Sequence, residues 1–394
     1  MDQSSCPICD SNDIVFESLF EDFPMGNIYL SKHEHGDQFL RDIKIFQCAC
    51  GHLSAKSAFP ANAIYNVDYF YLGDSAIPSM RRAHGLEMIT KYLEESEFNN
   101  LIDIGCGNFE LIELFMGRLN IAGQKIGVDP VPRKSESEDI LFINAFFEDS
   151  NLDLNSPINR PNLICLDNVL EHIYDVNDFF EKFVKLIQPK DYIYVCVPSF
   201  ELMLQSRSFE EISHEHTQYF SLFAMSDLFF KFGFDEIVSY SKSIGTRGYN
   251  FHLFQNVNEG NLVRSKKRVR SVESMLWKRT AMSLPNELEI FRYKLRKTIP
   301  STFENSWGVC ASEITPAICY FMGTDLRQIQ GIFDTTSTKA GKFMPGLSPQ
   351  ILPWIDLNLI SKDSNLFITV PQLVPIVKPK LTELEFLNIT FAEK

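Results

Sequence analysis

The sequence of 394 residues predicts an α/β architecture on a doubly wound parallel sheet, with a small cysteine-bearing unit before it and a second α/β unit after it. Three observations predict this. From Leu101 onward, short apolar runs alternate with amphipathic stretches, the pattern of buried parallel strands covered by helices on both faces. The run Asp103-Ile104-Gly105-Cys106-Gly107 places two glycines at the first strand-to-helix turn, and Asp129 closes the next strand. Two cysteine pairs, Cys6/Cys9 and Cys48/Cys50, lie close to the N-terminus.

The elements follow in order. The first 65 residues read as turn-rich, and Met80 to Leu93 as an amphipathic helix leading into the sheet. Strands are expected at Leu101–Ile104, Lys125–Val128, Ile140–Asn144, Leu163–Leu166 and Tyr192–Val197, with helices at Glu110–Leu119, Phe179–Ile187 and Leu222–Phe232. Glu236–Tyr240 and Tyr249–Gln255 read as strands closing that sheet. Asn256 to Thr298 is charged and helical in pattern. Beyond Pro300, strand-like runs recur at Trp307–Cys310, Gln330–Phe333 and Leu366–Val370. The expected division is 1–68 for a metal-binding unit, 69–258 for the catalytic unit, 259–298 for a helical connector and 299–394 for the last α/β unit.

At ~100–200 residues per domain, this length calls for more than one core. An apolar fraction of 45% and a charged fraction of 22% place the chain among soluble globular proteins. No apolar run reaches the roughly 18 residues of a membrane span, and the N-terminus lacks a signal peptide's basic and apolar regions. The expected location is the cytoplasm. A net charge of −14 argues against nucleic-acid binding, because phosphate binding needs a basic surface. The one basic run, Arg264 to Arg270, reads as a solvated helix face, with a diphosphate contact as the sharper alternative.

Strand, glycine turn, helix and then an acid is the outline of a nucleotide-binding unit. Gly105 and Gly107 allow a tight turn and close ligand approach. Asp129 stands where a carboxylate accepts ribose hydroxyls. The third glycine of a dinucleotide fingerprint is absent. Asp103 would repel a pyrophosphate but suits an amino group, which favours S-adenosylmethionine over NAD. Asn168 and His172, four apart after the fourth strand, can both face the crevice.

Four thiolates at Cys6, Cys9, Cys48 and Cys50 suit a structural zinc site, with metal-free reduced cysteines as the alternative. His52 is a possible substitute ligand.

In order, the cysteine pairs, Tyr69-Phe70-Tyr71, the Asp103–Gly107 turn, Gly127-Val128-Asp129-Pro130, Asn168-Val169-Leu170-Glu171-His172 and His214-Glu215-His216-Thr217-Gln218-Tyr219-Phe220-Ser221 resemble the nucleotide-sugar C-methyltransferases. The tail, with Asp334 and Lys339-Ala340-Gly341-Lys342-Phe343-Met344-Pro345-Gly346, resembles that family's C-terminal domain. The resemblance implies a Rossmann-like class I methyltransferase sheet flanked by an N-terminal zinc-binding domain and a C-terminal Rossmann-like α/β domain. It implies methylation of C3 in a dTDP-linked 4-keto deoxysugar, for branched-sugar biosynthesis, by a monomer or weak homodimer. O- or N-methylation of a sugar or other small metabolite is the alternative.

The cofactor set is then Tyr71, Asp103, Gly105, Gly107, Asp129, Phe147 and Asn168. His216 is expected as base, Glu215 as its orienting partner or the base itself, and His172 as a sugar or enolate contact. Adjacent His214 and His216 could also ligate a metal, although no third ligand is evident. The chain departs from the family pattern at Ser213, where a tyrosine is usual. It departs again at Gly245-Thr246-Arg247-Gly248-Tyr249, where the family's glycine-rich strand usually reads Gly-Gly-Ser, and at Trp307-Gly308-Val309-Cys310-Ala311, which replaces a glycine-rich turn.

Overall fold

Strand Leu101–Ile104 is buried at all four positions and lies inside a seven-stranded sheet. The computed structural model describes residues 5–59, 64, 76–94, 96–132, 137–150, 152, 160–257, 272–299 and 305–394. Tyr69 to Tyr71 and the run Arg264 to Arg270 lie outside the described residues.

On one side of Leu101–Ile104 come Lys125–Val128 and Leu141–Ile143, both parallel. On the other come Leu163–Asp167 and Tyr192–Pro198, also parallel. Arg247–Asn256 and Phe234–Ile244 then extend the sheet antiparallel. Strand order therefore reverses at Leu101–Ile104, and such a switch point opens a crevice at the strands' carboxyl ends.

Phenylalanines fill both faces: Phe147, Phe179, Phe180, Phe183 and Phe229 on one, Phe98, Phe109, Phe115 and Phe251 on the other. Helix Val176–Leu186 is capped by Asp175, which accepts from the Asp178 N–H at 2.9 Å, and Ser221 caps Leu222–Lys231 in the same way. Helix Glu110–Met116 stops three residues short of expectation, and Gly117 to Leu119 follow as a turn. Among the described residues no helix is long and apolar enough to cross a membrane.

The turn-rich reading of the N-terminus misses an antiparallel sheet of Ile14–Pro24, Leu40–Cys48 and Leu53–Ser57. Register shifts between Ile14 and Phe16 and between Phe20 and Phe23 break the alternation that would reveal its first strand. A fourth strand, Gln218–Tyr219, comes from the middle of the chain, so the loop carrying Glu215 and His216 is tied to this sheet.

The C-terminal sheet is wholly parallel, in the order Ile351–Pro353, Ile332–Asp334, Ser306–Val309, Asn365–Ile368 and Ile389–Phe391. Its core is continuous with that of the N-terminal sheet through Phe20, Phe23, Phe291 and Phe321. Half-buried ion pairs link the parts as well: Arg247 pairs with Glu313, and Arg207 with Glu287 at 2.7 Å.

Candidate active site

Gly105 and Gly107 adopt φ of 73° and 49°, the left-handed region that side chains disfavour. A Cβ on Gly105 would lie 2.5 Å from Val169 Cγ2. The Asp129 carboxylate holds this turn by accepting the N–H of Gly107 at 2.9 Å and of Val131 at 2.8 Å.

A cavity of ≈ 610 Å³ opens beside the turn, with Gly105, Gly107, Asp129, Phe147 and Asn168 in its wall. Five of the expected cofactor residues thus share one wall, and Asp103 lies apart from them, in the cavity next to it. Tyr71 lies outside the described residues. A second cavity of ≈ 380 Å³ adjoins it, sharing Gly105, Asn168 and His172.

Asp103 lines the second cavity. It is 2% exposed, and its Oδ1 has no hydrogen-bond partner among the described residues. Burial, then Asp167 and Asp129, holds its carboxyl well above the usual range. A buried carboxylate with an unused oxygen asks for a cation or donor. The amino group of S-adenosylmethionine would fit that demand, and Asp129 and Phe147 could then take its adenosine end. Asn168, at φ 60°, also carries a buried unpartnered Oδ1 at the junction of the cavities.

Three regions of the chain wall the second cavity: Asn27, then Glu215, His216 and Arg247, then Glu313 and Gln372. Asn27 Nδ2 donates to Glu215 Oε1 at 3.1 Å. His172 Nδ1 bonds the Glu215 carbonyl at 3.0 Å, and the rings of His172 and His216 are 5.0 Å apart. Burial lowers His172 to a pKa of about 4. Burial, then His172 and Arg247, takes His216 well below its usual value. Both imidazoles are therefore neutral at pH 7.

His214 is spent elsewhere. Its Nδ1 meets Ser57 Oγ and its Nε2 the Phe23 carbonyl, both at 2.8 Å, so it pins the loop to the N-terminal sheet. Ser213 Oγ accepts from the His216 N–H at 3.3 Å. A tyrosine nevertheless reaches the cavity, since Tyr249 from strand Arg247–Asn256 lines it.

Sequence reading missed several wall residues. Arg81 forms a two-pronged pair with Asp167, Nε to Oδ1 at 3.1 Å and Nη2 to Oδ2 at 2.8 Å. Asn27 and Glu313 arrive from distant segments, and no local spacing signals them. Glu171, inside the Asn168–His172 run, offered the one available hint.

The four expected zinc ligands converge. Cys6 and Cys50 sulfurs are 3.7 Å apart, and those of Cys9 and Cys48 3.4 Å. All four lie within 4.8 Å of one another. A tetrahedral site with Zn–S of ~2.3 Å has edges of about 3.8 Å, so the donor set fits zinc. His52, the possible substitute ligand, is not among the residues whose ligand atoms converge there; its Nε2 is bonded to Gln218 Oε1 at 2.9 Å.

Residues 81–239 match the family described as "Methyltransferase domain". Solved structures with a similar outline include the 1,6-didemethyltoxoflavin-N1-methyltransferase of Burkholderia thailandensis with its substrate and S-adenosylhomocysteine. It is 11% identical over 46% of this chain and 80% of that one, with a TM-score of 0.36. The N-methyltransferase NodS of Bradyrhizobium japonicum with S-adenosylhomocysteine is 14% identical over 48% and 92%, at 0.35. No curated protein matches the sequence. The family match spans the glycine turn, Asp129, Asn168 and the Glu215–His216 loop. Residues 81–239 thus carry a methyltransferase domain, on a sheet whose strand order is that of the class I methyltransferase fold.

Proposed function

We propose that the enzyme methylates carbon, at C3 of a nucleotide-linked 4-keto deoxysugar, by way of an enolate. The observation that carries this is the junction of the two cavities. Where the cofactor cavity ends, at Gly105, Asn168 and His172, the adjoining one presents Glu215 and His216. S-adenosylmethionine, when bound, supplies an electrophilic methyl group on a sulfonium. The rest is for the chain's residues to do.

Carbon becomes nucleophilic once the proton beside a carbonyl is removed, and the Glu215–His216 pair is placed to receive it. The freed electron pair forms the new C–C bond as the S–CH₃ bond breaks, leaving a neutral thioether. His172 and Tyr249 stand on the same wall and can steady the enolate oxygen. Oxygen or nitrogen acceptors would need no enolate. The 4-keto sugar is supported by the resemblance of the Asn168–His172 and His214–Ser221 runs to the sugar C-methyltransferases.

The test uses a panel of nucleotide-linked 4-keto sugars in heavy water. The native enzyme should incorporate deuterium at the carbon beside the keto group without cofactor, and methylate that carbon with it. A variant carrying both Glu215→Gln and His216→Asn should lose at least a hundredfold in each, in line with the ~10²–10⁴-fold typical of a positioned base, while still binding S-adenosylhomocysteine. Methyl transfer to oxygen or nitrogen with no exchange overturns the reading.

The four-cysteine cluster we assign to structural zinc, which closes the start of a small sheet. Metal analysis should give about one zinc per chain, lost when Cys48 and Cys50 are both replaced by serine. Full zinc content in that variant would remove the assignment.

A further inference from the structure

The sequence offered two adjacent histidines and no third ligand. The fold keeps His216, commits His214 to Ser57 and Phe23, and brings Glu171 and His172 from another segment. A carboxylate oxygen of Glu171 and a ring nitrogen from each of His172 and His216 lie within 4.8 Å of one another.

Glu171 is the unusual member. It is 1% exposed, and neither carboxylate oxygen has a hydrogen-bond partner among the described residues. Within the cluster the neutral His172 ring stands beside it, with Nε2 3.9 Å from Oε1. A buried carboxylate left this way is costly in either protonation state unless something fills the gap.

One histidine is oriented as a ligand. His172 meets a carbonyl, that of Glu215, through Nδ1 at 3.0 Å. A carbonyl only accepts, so Nδ1 carries the hydrogen and Nε2 carries the lone pair facing Glu171. Metal-binding histidines hold their second ring nitrogen in this way, which fixes tautomer and angle. The backbone of Glu211 also lies beside the His216 ring.

We propose that Glu171, His172 and His216 form a binding site for one divalent first-row transition-metal ion, distinct from the cysteine cluster. Two imidazoles and a carboxylate are a common set for such ions, which keep open positions for water or substrate. In a tetrahedral site with bond lengths near 2.1 Å the ligand atoms sit about 3.4 Å apart. The cluster therefore needs to contract by about 1 Å, within reach of side-chain rotation.

His172 and His216 line the acceptor cavity, so the ion's open positions face the substrate. There it would polarise the carbonyl oxygen of the acceptor and spread the enolate's charge. A nitrogen that ligates a cation has no lone pair for a proton. Within the Glu215–His216 pair the proton then goes to Glu215. This catalytic role rests on the C-methylation reading, whereas occupancy of the site does not.

The test is titration of the full-length, zinc-loaded protein with Co²⁺ alone, without sugar or cofactor. Binding of one equivalent is expected, with visible bands of nitrogen and oxygen ligation and no thiolate charge-transfer band. Glu171→Gln keeps shape and neutrality and should weaken uptake at least tenfold with melting temperature unchanged. His216→Ala should do the same from the cavity side. Failure to bind Co²⁺ outside the cysteine cluster overturns the site, as does equal uptake by both variants. In either case Glu171 is simply a protonated core residue. Deuterium exchange by metal-stripped native enzyme separates this outcome from failure of the C-methylation reading.

Discussion

Two sheets in this chain leave their first strand in the same way. After Leu101–Ile104, Gly105 turns at φ 73° and its N–H reaches the Val128 carbonyl at 2.7 Å. After Ser306–Val309, Cys310 turns at φ 78° and its N–H reaches the Phe333 carbonyl at 2.9 Å. The next residue along each neighbouring strand is an aspartate. Asp129 accepts from Gly107 and from Val131, two residues beyond itself. Asp334 accepts from Ala311 and from Thr336, again two beyond, both at 2.8 Å.

The difference lies in what occupies the turn. The catalytic turn is one residue longer and opens on a cavity with unpartnered polar atoms. At the C-terminal turn Lys339, 4% exposed, donates from Nζ to the Ala311 carbonyl at 2.9 Å and lies 3.8 Å from Asp334. The chain's own cation stands against the acid. An acid ending the second strand is therefore first a tie for the turn. At the first turn glycines leave room for a ligand beside the acid, whereas at the second the lysine stands in that place.

The largest effect should come from closing the first turn. Gly105→Ala places a Cβ 2.5 Å from Val169 Cγ2 at a φ that costs a non-glycine residue ~1–2 kcal/mol. S-adenosylhomocysteine affinity, measured by calorimetry, should fall at least a hundredfold. Zinc content should be unchanged, because the cysteine cluster lies elsewhere. Affinity within threefold of the native value would mean that the cofactor does not use this turn.

A smaller and paired effect tests the two acids. Asp129→Ala removes the turn's tie and the carboxylate offered to the ribose. Charge-assisted hydrogen bonds are worth roughly 1.5–3 kcal/mol each, so affinity should drop at least tenfold. Asp334→Ala removes only a tie. It should lower the melting temperature and leave S-adenosylhomocysteine affinity as it was. Equal losses of affinity in both variants would break the comparison, since the two acids would then share a function.

How much of this was legible in sequence follows from the range of each signal. The turn at Gly105 and Gly107, Asp129 and the parallel strands were readable because a βαβ unit writes them within a short stretch. The cysteine cluster was readable by spacing. The first N-terminal strand was not, because its bulges break the alternation. The acceptor cavity was half legible. His172, Glu215 and His216 stood out by type, but Asn27, Arg81 and Glu313 meet them only through tertiary packing. His214 looked like part of the site, and only the fold shows both its nitrogens committed to Ser57 and Phe23. The plugged second turn was visible as missing glycines, while Lys339 as its plug was not.

The smallest expected effect is the most discriminating for the second turn. Cys310 is a non-glycine residue in the left-handed region, and glycine would relieve strain of ~1–2 kcal/mol. Against this, glycine gives the unfolded chain more freedom, roughly 0.5–1 kcal/mol, and a thiol that is 7% exposed loses its packing. The terms offset, so Cys310→Gly should move the melting temperature by no more than about 2 °C, at ~2–4 °C per kcal/mol. It should also create no new site for S-adenosylhomocysteine or a nucleotide, because Lys339 still meets Asp334. A second binding event in the calorimeter would show that the side chain at Cys310, rather than the lysine, is what keeps this turn closed. A loss of stability as large as that of Asp334→Ala would show that the thiol, and not the backbone, sets the turn. With neither result, the side chain at Cys310 is not what closes the second turn, and Lys339 is the residue that stands where the first turn leaves room.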